Sequence, residues 1–156
     1  MRILITGANG YLGARLCHFL GNQGHDIIAV CKTSVPYTTG WTNKIKKIII
    51  GDLLSVETIK KLRETKPDII IHLVSLNKKD SENSIDNTLD INVRITWELL
   101  EKFSNLPLKK FIYLSTIHVA DNLLDTSKPV YNYKPKSKYA LTHLMSEEIC
   151  NYYDNK

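Results

Sequence analysis

The sequence predicts an α/β protein built on a doubly wound parallel sheet of about five strands. Apolar, β-branched runs alternate with helical patterns along all 156 residues, and the first run passes straight into a glycine-spaced turn. Several runs are also apolar throughout, with no alternation of apolar and polar residues, which suits strands covered on both faces of a parallel sheet. Alternating element types imply crossover connections between the parallel strands.

The first strand is Arg2–Thr6, and the helix behind its turn is Tyr11–Asn22. The second and third strands are Asp26–Cys31 and Ile45–Ile50, followed by a helix over 55–64. The fourth strand, 68–74, carries the run Ile-Ile-Ile-His-Leu-Val, and a helix over 89–104 follows it. The fifth strand spans 110–115, and the last helix 136–153. Pro67 and Pro107 stand just before the fourth and fifth strands, where they stop a helix without removing a ladder donor. Two stretches read as loops, 33–43 and 117–135. They leave the carboxyl ends of the second and fifth strands, where ligands bind in this architecture.

This length suits one domain with a proper core. A content of 43% hydrophobic and 24% charged residues is ordinary for a water-soluble domain. No apolar run approaches the ~20 residues of a membrane span, and the amino terminus enters a strand without a signal-like segment. Cys17, Cys31 and Cys150 show no metal or redox spacing and read as reduced thiols of a cytoplasmic protein. The net charge of +5 comes from lysines scattered in pairs, such as Lys46-Lys47 and Lys109-Lys110. With no basic stripe interleaved with aromatics, this pattern argues against nucleic acid and for a solvated surface mildly attractive to anionic nucleotides.

The segment Gly7-Ala-Asn9-Gly10-Tyr11-Leu12-Gly13 follows the first strand directly. Glycines at this spacing let backbone approach a pyrophosphate, and the helix that starts behind them offers unpaired N–H groups to it. The G-x-x-G-x-x-G spacing departs from the G-x-G-x-x-G of most dinucleotide dehydrogenases. A turn required only for strand-to-helix geometry is the alternative.

The same segment resembles the extended short-chain dehydrogenase/reductase proteins, in particular the NAD-dependent epimerase/dehydratase group acting on nucleotide sugars. The resemblance continues through Gly51-Asp52-Leu53, His72-Leu73-Val74-Ser75, Asn92-Val93 and Phe111-Ile-Tyr-Leu-Ser115-Thr116 to Tyr139, in order and over essentially the whole chain. It implies a Rossmann-like NAD(P)-binding domain over 1–156, with Asp52 and Leu53 beside the adenine. It also implies that Leu73, Val74 and Ser75 lie toward the nicotinamide ribose, Ser75 replacing a usual small alanine. Asp52 as a plain turn residue, and Asn92 as a structural cap at the start of its helix, are the alternatives to ligand contact. Family members continue for another domain's length, so the expectation is of a chain truncated relative to the family, without the substrate-binding domain. The fifth strand is then expected to be an apolar edge.

Coenzyme choice depends on the end of the second strand, where NAD sites usually carry an acid for the ribose 2′-hydroxyl. Here the chain reads Val30-Cys31-Lys32-Thr33. Lys32 is a cation able to meet a 2′-phosphate, so NADP is favoured, with NAD as the alternative.

The resemblance assigns proton transfer to Tyr139 and hydrogen bonding of the reacting oxygen to Thr116, and expects a lysine four residues after the tyrosine. Residue 143 is His143, one turn beyond Tyr139 on the same helical face. A free tyrosine has a pKa of about 10, and a permanent cation helps to form phenolate near neutrality. A histidine with an unperturbed pKa of about 6.5 gives less. It can still hydrogen-bond the coenzyme ribose. Reduction, which uses the neutral phenol as proton donor, loses least. The expectation is therefore NADPH-linked reduction of a keto-sugar nucleotide, the alternative being a degenerate, non-catalytic dinucleotide-binding module.

Val119-Ala120-Asp121 stands where relatives commonly have Val-Tyr-Gly, and His118 in the same loop reads as a solvent-exposed histidine. The helices near 92–104 and 136–153 are candidates for a homodimer surface through Trp97, Leu100, Phe103, Leu144 and Ile149. The alternative is that these residues face the sheet.

Overall fold

A computed structural model describes residues 1–34, 40–120 and 133–155. The parts of the two expected loops at 35–39 and 121–132, including Asp121, lie outside the described residues. The chain divides into two compact units, one comprising Met1–Val74 and Glu98–Leu114, the other Ser75–Trp97 and Ser115–Lys156.

The first unit begins with β1 (Arg2–Thr6), α1 (Tyr11–Asn22) and β2 (Asp26–Cys31), whose bounds match the apolar periodicity of the sequence. A short 3-10 turn, Gly40–Lys44, leads into β3 (Ile45–Ile50), and α2 (Val56–Glu64) leads to β4 (Ile69–His72). All five strands of this sheet pair in parallel, in the order third, second, first, fourth, fifth. The order reverses between β1 and β4, and ligands of open α/β sheets bind outside the carboxyl ends of the strands at such a reversal.

Burial explains why these runs are apolar throughout. Leu4, Ile5, Ile27, Val30 and Ile70 are all essentially without solvent exposure. Successive side chains of a strand point to opposite faces, so β1 and β2 are covered on both. Cys17 of α1 packs with Ile3, Ile5, Ile27 and Ala29, and Leu16 and Leu20 lie against the same cluster. Desolvation there pushes the Cys17 thiol up to about 12. On α2, Ile59 and Leu62 are the buried apolar pair, three residues apart on one face. The helix then ends through Lys66, at φ 46°, with Pro67 directly behind. Arg2 secures this corner, its guanidinium donating to the Thr65 carbonyl at 2.6 Å while its backbone N–H donates to the Asp68 carboxylate at 2.8 Å.

The fourth and fifth strands are shorter than the sequence suggested. β4 stops at His72, after which the Leu73 N–H turns to the Thr6 hydroxyl in place of a β1 carbonyl. Of the second unit's elements, α3 (Lys78–Asn83) and α4 (Ile85–Thr88) precede a π-helical stretch, Leu89–Arg94, and the start of α5 (Ile95–Phe103). β5 (Lys110–Tyr113) returns to the sheet of the first unit. Among the described residues it pairs with β4 alone, and Ile112 is 41% exposed, so the expected apolar edge is present. β3, the other edge, carries the exposed Lys46 and Lys47, charges that discourage edge pairing.

Three of the residues offered for a homodimer surface need correction. Leu100 and Phe103 belong to the first unit's core, Phe103 with no solvent exposure, and Ile149 is buried. Trp97 is the exposed member, with its ring edge-on to Tyr153 at 6.5 Å. A large aromatic wins burial wherever a sheet needs covering, and the apolar spacing of a helix does not say which covered face that is.

The second unit continues through a turn at Ile117–Val119 to α6 (Lys138–Asp154). Ser137 caps α6 by accepting from the Ala140 N–H at 3.1 Å, and Asn77 caps α3 in the same way through Asp80. Lys138 ties the start of α6 to the end of α3, its N–H and Nζ both donating to Glu82 at 2.9 Å. No helix among the described residues is long and apolar enough to cross a membrane.

Truncating Phe103 to alanine is expected to cost about 3 kcal/mol of unfolding free energy. Urea denaturation of the variant measures this; a loss below about 1 kcal/mol would contradict its assigned place in the core.

Candidate functional site

In the first unit the residues expected to hold a diphosphate gather at the end of β1. Gly7 leaves the strand at φ 67°, a conformation open to glycine at little cost. A Cβ on Gly13 would run into the Gly7 carbonyl and stand 2.8 Å from the Ala8 Cα. Helix α1 can therefore begin against the turn only with glycine at that position. The turn is fastened to β2 by the Ala8 N–H, which donates to Val30 at 3.2 Å, and by the Asn9 backbone hydrogen-bonded to the Cys31 thiol.

Gly10 is the N-cap of α1, and no side chain caps the helix there. The first helical turn carries no acidic residue, and Asn9, Gly10, Tyr11 and Leu12 are exposed. The leading N–H groups of a helix lack intrahelical acceptors and, with the positive end of the helix dipole, favour an anion. An exposed, uncapped amino terminus approached by side-chain-free backbone fits a diphosphate. Tyr11 lies beneath Arg15, whose guanidinium carbon is 3.7 Å from the ring centroid.

At the reversal of strand order, Thr6 and His72 are both fully buried. The Thr6 Oγ1 lies 2.7 Å from His72 Nδ1 and accepts from the Leu73 N–H at 3.1 Å. This locks the ends of β1 and β4 together. Leu73 and Val74, both half-buried, leave β4 next to Gly7, where a Cβ would stand 3.3 Å from Val74 Cγ2.

Lys32 and Asp52 are brought together. Lys32 Nζ is 3.0 Å from Asp52 Oδ2, and Asp52 Oδ1 accepts from the Leu54 N–H at 2.9 Å. The Leu54 hydrogen bond, then Lys32, hold the Asp52 carboxyl below its ordinary range. Asp52 is thus also a turn-forming residue, with Leu53 buried behind it.

In the second unit, Ser75 is exposed and Asn92 is not. Asn92 does not start a helix; it lies inside the π-helical stretch, where the Ile95 N–H reaches back to the Asp90 carbonyl. Its Oδ1 accepts from the Leu76 N–H at 2.7 Å, and its Nδ2 donates to Thr142 Oγ1 at 3.0 Å. Its carbonyl accepts from Ser146 Oγ at 2.6 Å. Both ends of the amide are therefore engaged within the protein. Asn92 ties α6 to the π-helical stretch and is neither a cap nor an exposed ligand group.

Tyr139 and His143 lie one turn apart on α6, ring centroids 4.5 Å apart and nearly edge-to-face at 67°. Tyr139 is half-buried; His143 is 1% exposed. The exposed His118 lies in the Ile117–Val119 turn, its ring 6.1 Å from that of Tyr139. Thr116 caps this turn, its Oγ1 accepting from the His118 N–H at 3.3 Å. Thr116 also lines a cavity of about 430 Å³ with Ser115, Val119, Tyr133 and Glu147. Glu147, which sequence reasoning passed over, accepts the Ser115 hydroxyl. Its signal was its position on the helix, four residues beyond His143.

Burial lowers the pKa of His143 to about 4. The imidazole is neutral at pH 7 and brings no positive charge beside the Tyr139 ring.

Residues 3–156 match the family described as the NAD dependent epimerase/dehydratase family. A dTDP-D-glucose 4,6-dehydratase of Dictyostelium discoideum is 33% identical over 76% of this chain and 29% of that protein. A GDP-6-deoxy-D-talose 4-dehydrogenase of Aggregatibacter actinomycetemcomitans is 30% identical over 96% of this chain and 49% of that protein. Among solved structures, the UDP-glucuronic acid 4-epimerase of Bacillus cereus in complex with UDP-glucuronic acid and NAD superimposes with a TM-score of 0.83. It is 27% identical, over 100% of this chain and 53% of that one. The chain thus spans about half the length, or less, of the relatives it matches.

The buried His143 gives stability a distinct pH dependence. Its pKa is about 4 in the folded chain and about 6.5 when unfolded. Between these values the unfolded chain binds more protons. Stability is therefore whole above about pH 6.5, falls as pH drops toward 4, and has lost about 3 kcal/mol below that. Denaturant midpoints measured from about pH 7 down to about pH 4.5 should fall for the native chain and fall much less for His143→Gln. Equal slopes for the two proteins would refute this assignment.

Proposed function

Because the chain belongs to the NAD-dependent epimerase/dehydratase family, we propose that it binds a nicotinamide dinucleotide and serves hydride transfer at a carbon of a nucleotide sugar. The observation that carries this reading is the amino terminus of α1, uncapped and exposed behind a glycine turn against which Gly13 has no room for a Cβ. Gly7, Asn9, Gly10, Tyr11, Leu12 and Gly13 hold the diphosphate. Asp52 and Leu53 face the adenine, and Leu73, Val74 and Ser75 face the nicotinamide ribose. Lys32 is the residue through which a 2′-phosphate would be recognised. When bound, the nicotinamide supplies or accepts the hydride.

The chain's own contribution is to orient and to move a proton. Thr116 orients the reacting oxygen by hydrogen bonding, and Tyr139 donates its phenolic proton as a keto-sugar carbonyl becomes a hydroxyl. The neutral His143 supports this direction, since a donor needs no neighbouring cation to keep its proton. The Aggregatibacter relative is a sugar 4-dehydrogenase, and that reaction run in reverse is such a reduction.

One observation favours a second reading, a dinucleotide-binding module without turnover. The lysine that the resemblance expects is replaced by a buried, uncharged histidine. His143→Lys separates the two. A chain that reduces keto-sugar nucleotides only after the replacement is the non-catalytic module; one already active, and weakened by the change, uses His143 as a working member.

The coenzyme reading is tested without activity. Gly10→Asp places a helix-capping carboxylate where the diphosphate is proposed to sit, at an extended N-cap backbone open to aspartate. Its Cβ would stand 3.2 Å from the Gly7 carbonyl oxygen, a contact that a small shift of the turn relieves. Calorimetric titration with NADH and NADPH should show at least about tenfold weaker binding, with a cooperative thermal transition retained as the sign that the fold accommodates the change. Undiminished binding by the variant would refute the site.

A further inference from the structure

The sequence makes Lys32 a cation open to a 2′-phosphate and the family resemblance gives Asp52 a separate place beside the adenine, yet the fold joins them as an ion pair at 3.0 Å. They are neighbours because β2 and β3 pair in register up to Cys31 and Ile50. The Gly51 N–H extends that pairing by donating to the Cys31 carbonyl at 3.0 Å. Lys32 and Asp52 are the next residues on their respective chains.

The two partners are not equally free to move. Asp52 is anchored through its other oxygen by the Leu54 N–H at 2.9 Å. Its carboxyl is held below the ordinary range by that bond first and by Lys32 second. Lys32 is the more exposed partner, at 69% against 41% for Asp52. The carboxylate is therefore the fixed member, and the ammonium is the mobile one that it retains.

Resting on the proposal that a nicotinamide dinucleotide binds this unit, we infer that Asp52 sets coenzyme choice by withholding Lys32 from the 2′-phosphate. A coenzyme with a 2′-hydroxyl has no need of the cation. One with a 2′-phosphate meets a pair whose net charge is zero, and must draw Lys32 away from a preoriented carboxylate before it gains a charge-assisted hydrogen bond. The lysine that favours NADP in the sequence is thus neutralised in the fold, and NAD competes on better terms than the residue at the end of β2 suggests.

Asp52→Asn keeps a hydrogen-bond acceptor for the adenine amine and for the Leu54 N–H while releasing Lys32. Exposed ion pairs are worth up to about 1 kcal/mol, so the ratio of NADP to NAD affinity should rise by up to about fivefold. Calorimetric titration of the full chain with each coenzyme reads that ratio for the native protein, Asp52→Asn, Lys32→Gln and the double variant. A rise in Asp52→Asn that disappears in the double variant supports the inference. An unchanged ratio in Asp52→Asn overturns it. So does an equal rise in the double variant, because the carboxylate would then act by direct repulsion of the phosphate. If neither coenzyme binds any of the four proteins, the underlying dinucleotide reading fails and this inference falls with it.

Discussion

The closeness of the Gly13 α-carbon to the Gly7 carbonyl governs what the end of β1 can do. No side chain fits between them, so α1 starts hard against the turn and its first N–H groups are presented without a cap. Glycine at the N-cap matters as much, because a capping side chain at Gly10 would itself occupy the position proposed for the diphosphate. The Thr6–His72–Leu73 hydrogen bonds keep the neighbouring strand ends in place. The sheet's parallel order then puts its reversal at the same point.

The second unit uses burial differently. Its long helix, α6, carries Thr142, His143 and Ser146 as buried polar residues. Two of them spend their hydroxyls in the network around Asn92. Buried polar groups are costly unless satisfied, and the π-helical stretch supplies partners by turning the Asn92 carbonyl toward Ser146. His143 meets the same cost by staying uncharged. The replacement of the expected lysine is therefore consistent with its surroundings: a site that excludes water this fully holds a neutral ring more cheaply than an ammonium.

How much could be read from the residues depended on whether local pattern or distant pairing decided the outcome. The first three strands and α1 were legible because covered strands must be apolar throughout and a glycine turn must precede this helix. Helix α3 was not, since Lys-Lys-Asp-Ser-Glu-Asn has no apolar face; its cap Asn77, bonded to Asp80, was the available sign. The helix expected over 89–104 begins earlier, at Ile85, where Ser84 caps α4. Asn92 looked like a helix start because asparagine favours caps, whereas its amide is in fact engaged by residues 16 and 50 positions away. Glu147 escaped notice because its partner, Ser115, is 32 residues distant.

The family came from the resemblance of ordered motifs along the chain; by itself the sequence determined the parallel α/β class, the glycine turn, and the placement of Tyr139 and His143 one turn apart. Each follows from spacing within a few residues, where backbone geometry leaves little choice. Only the tertiary structure decided that Lys32 faces Asp52, that Asn92 is a buried tie, and that His143 is shielded from water. Those outcomes depend on which segments meet, and charge, hydration and hydrogen bonding are properties of the meeting and not of the residue.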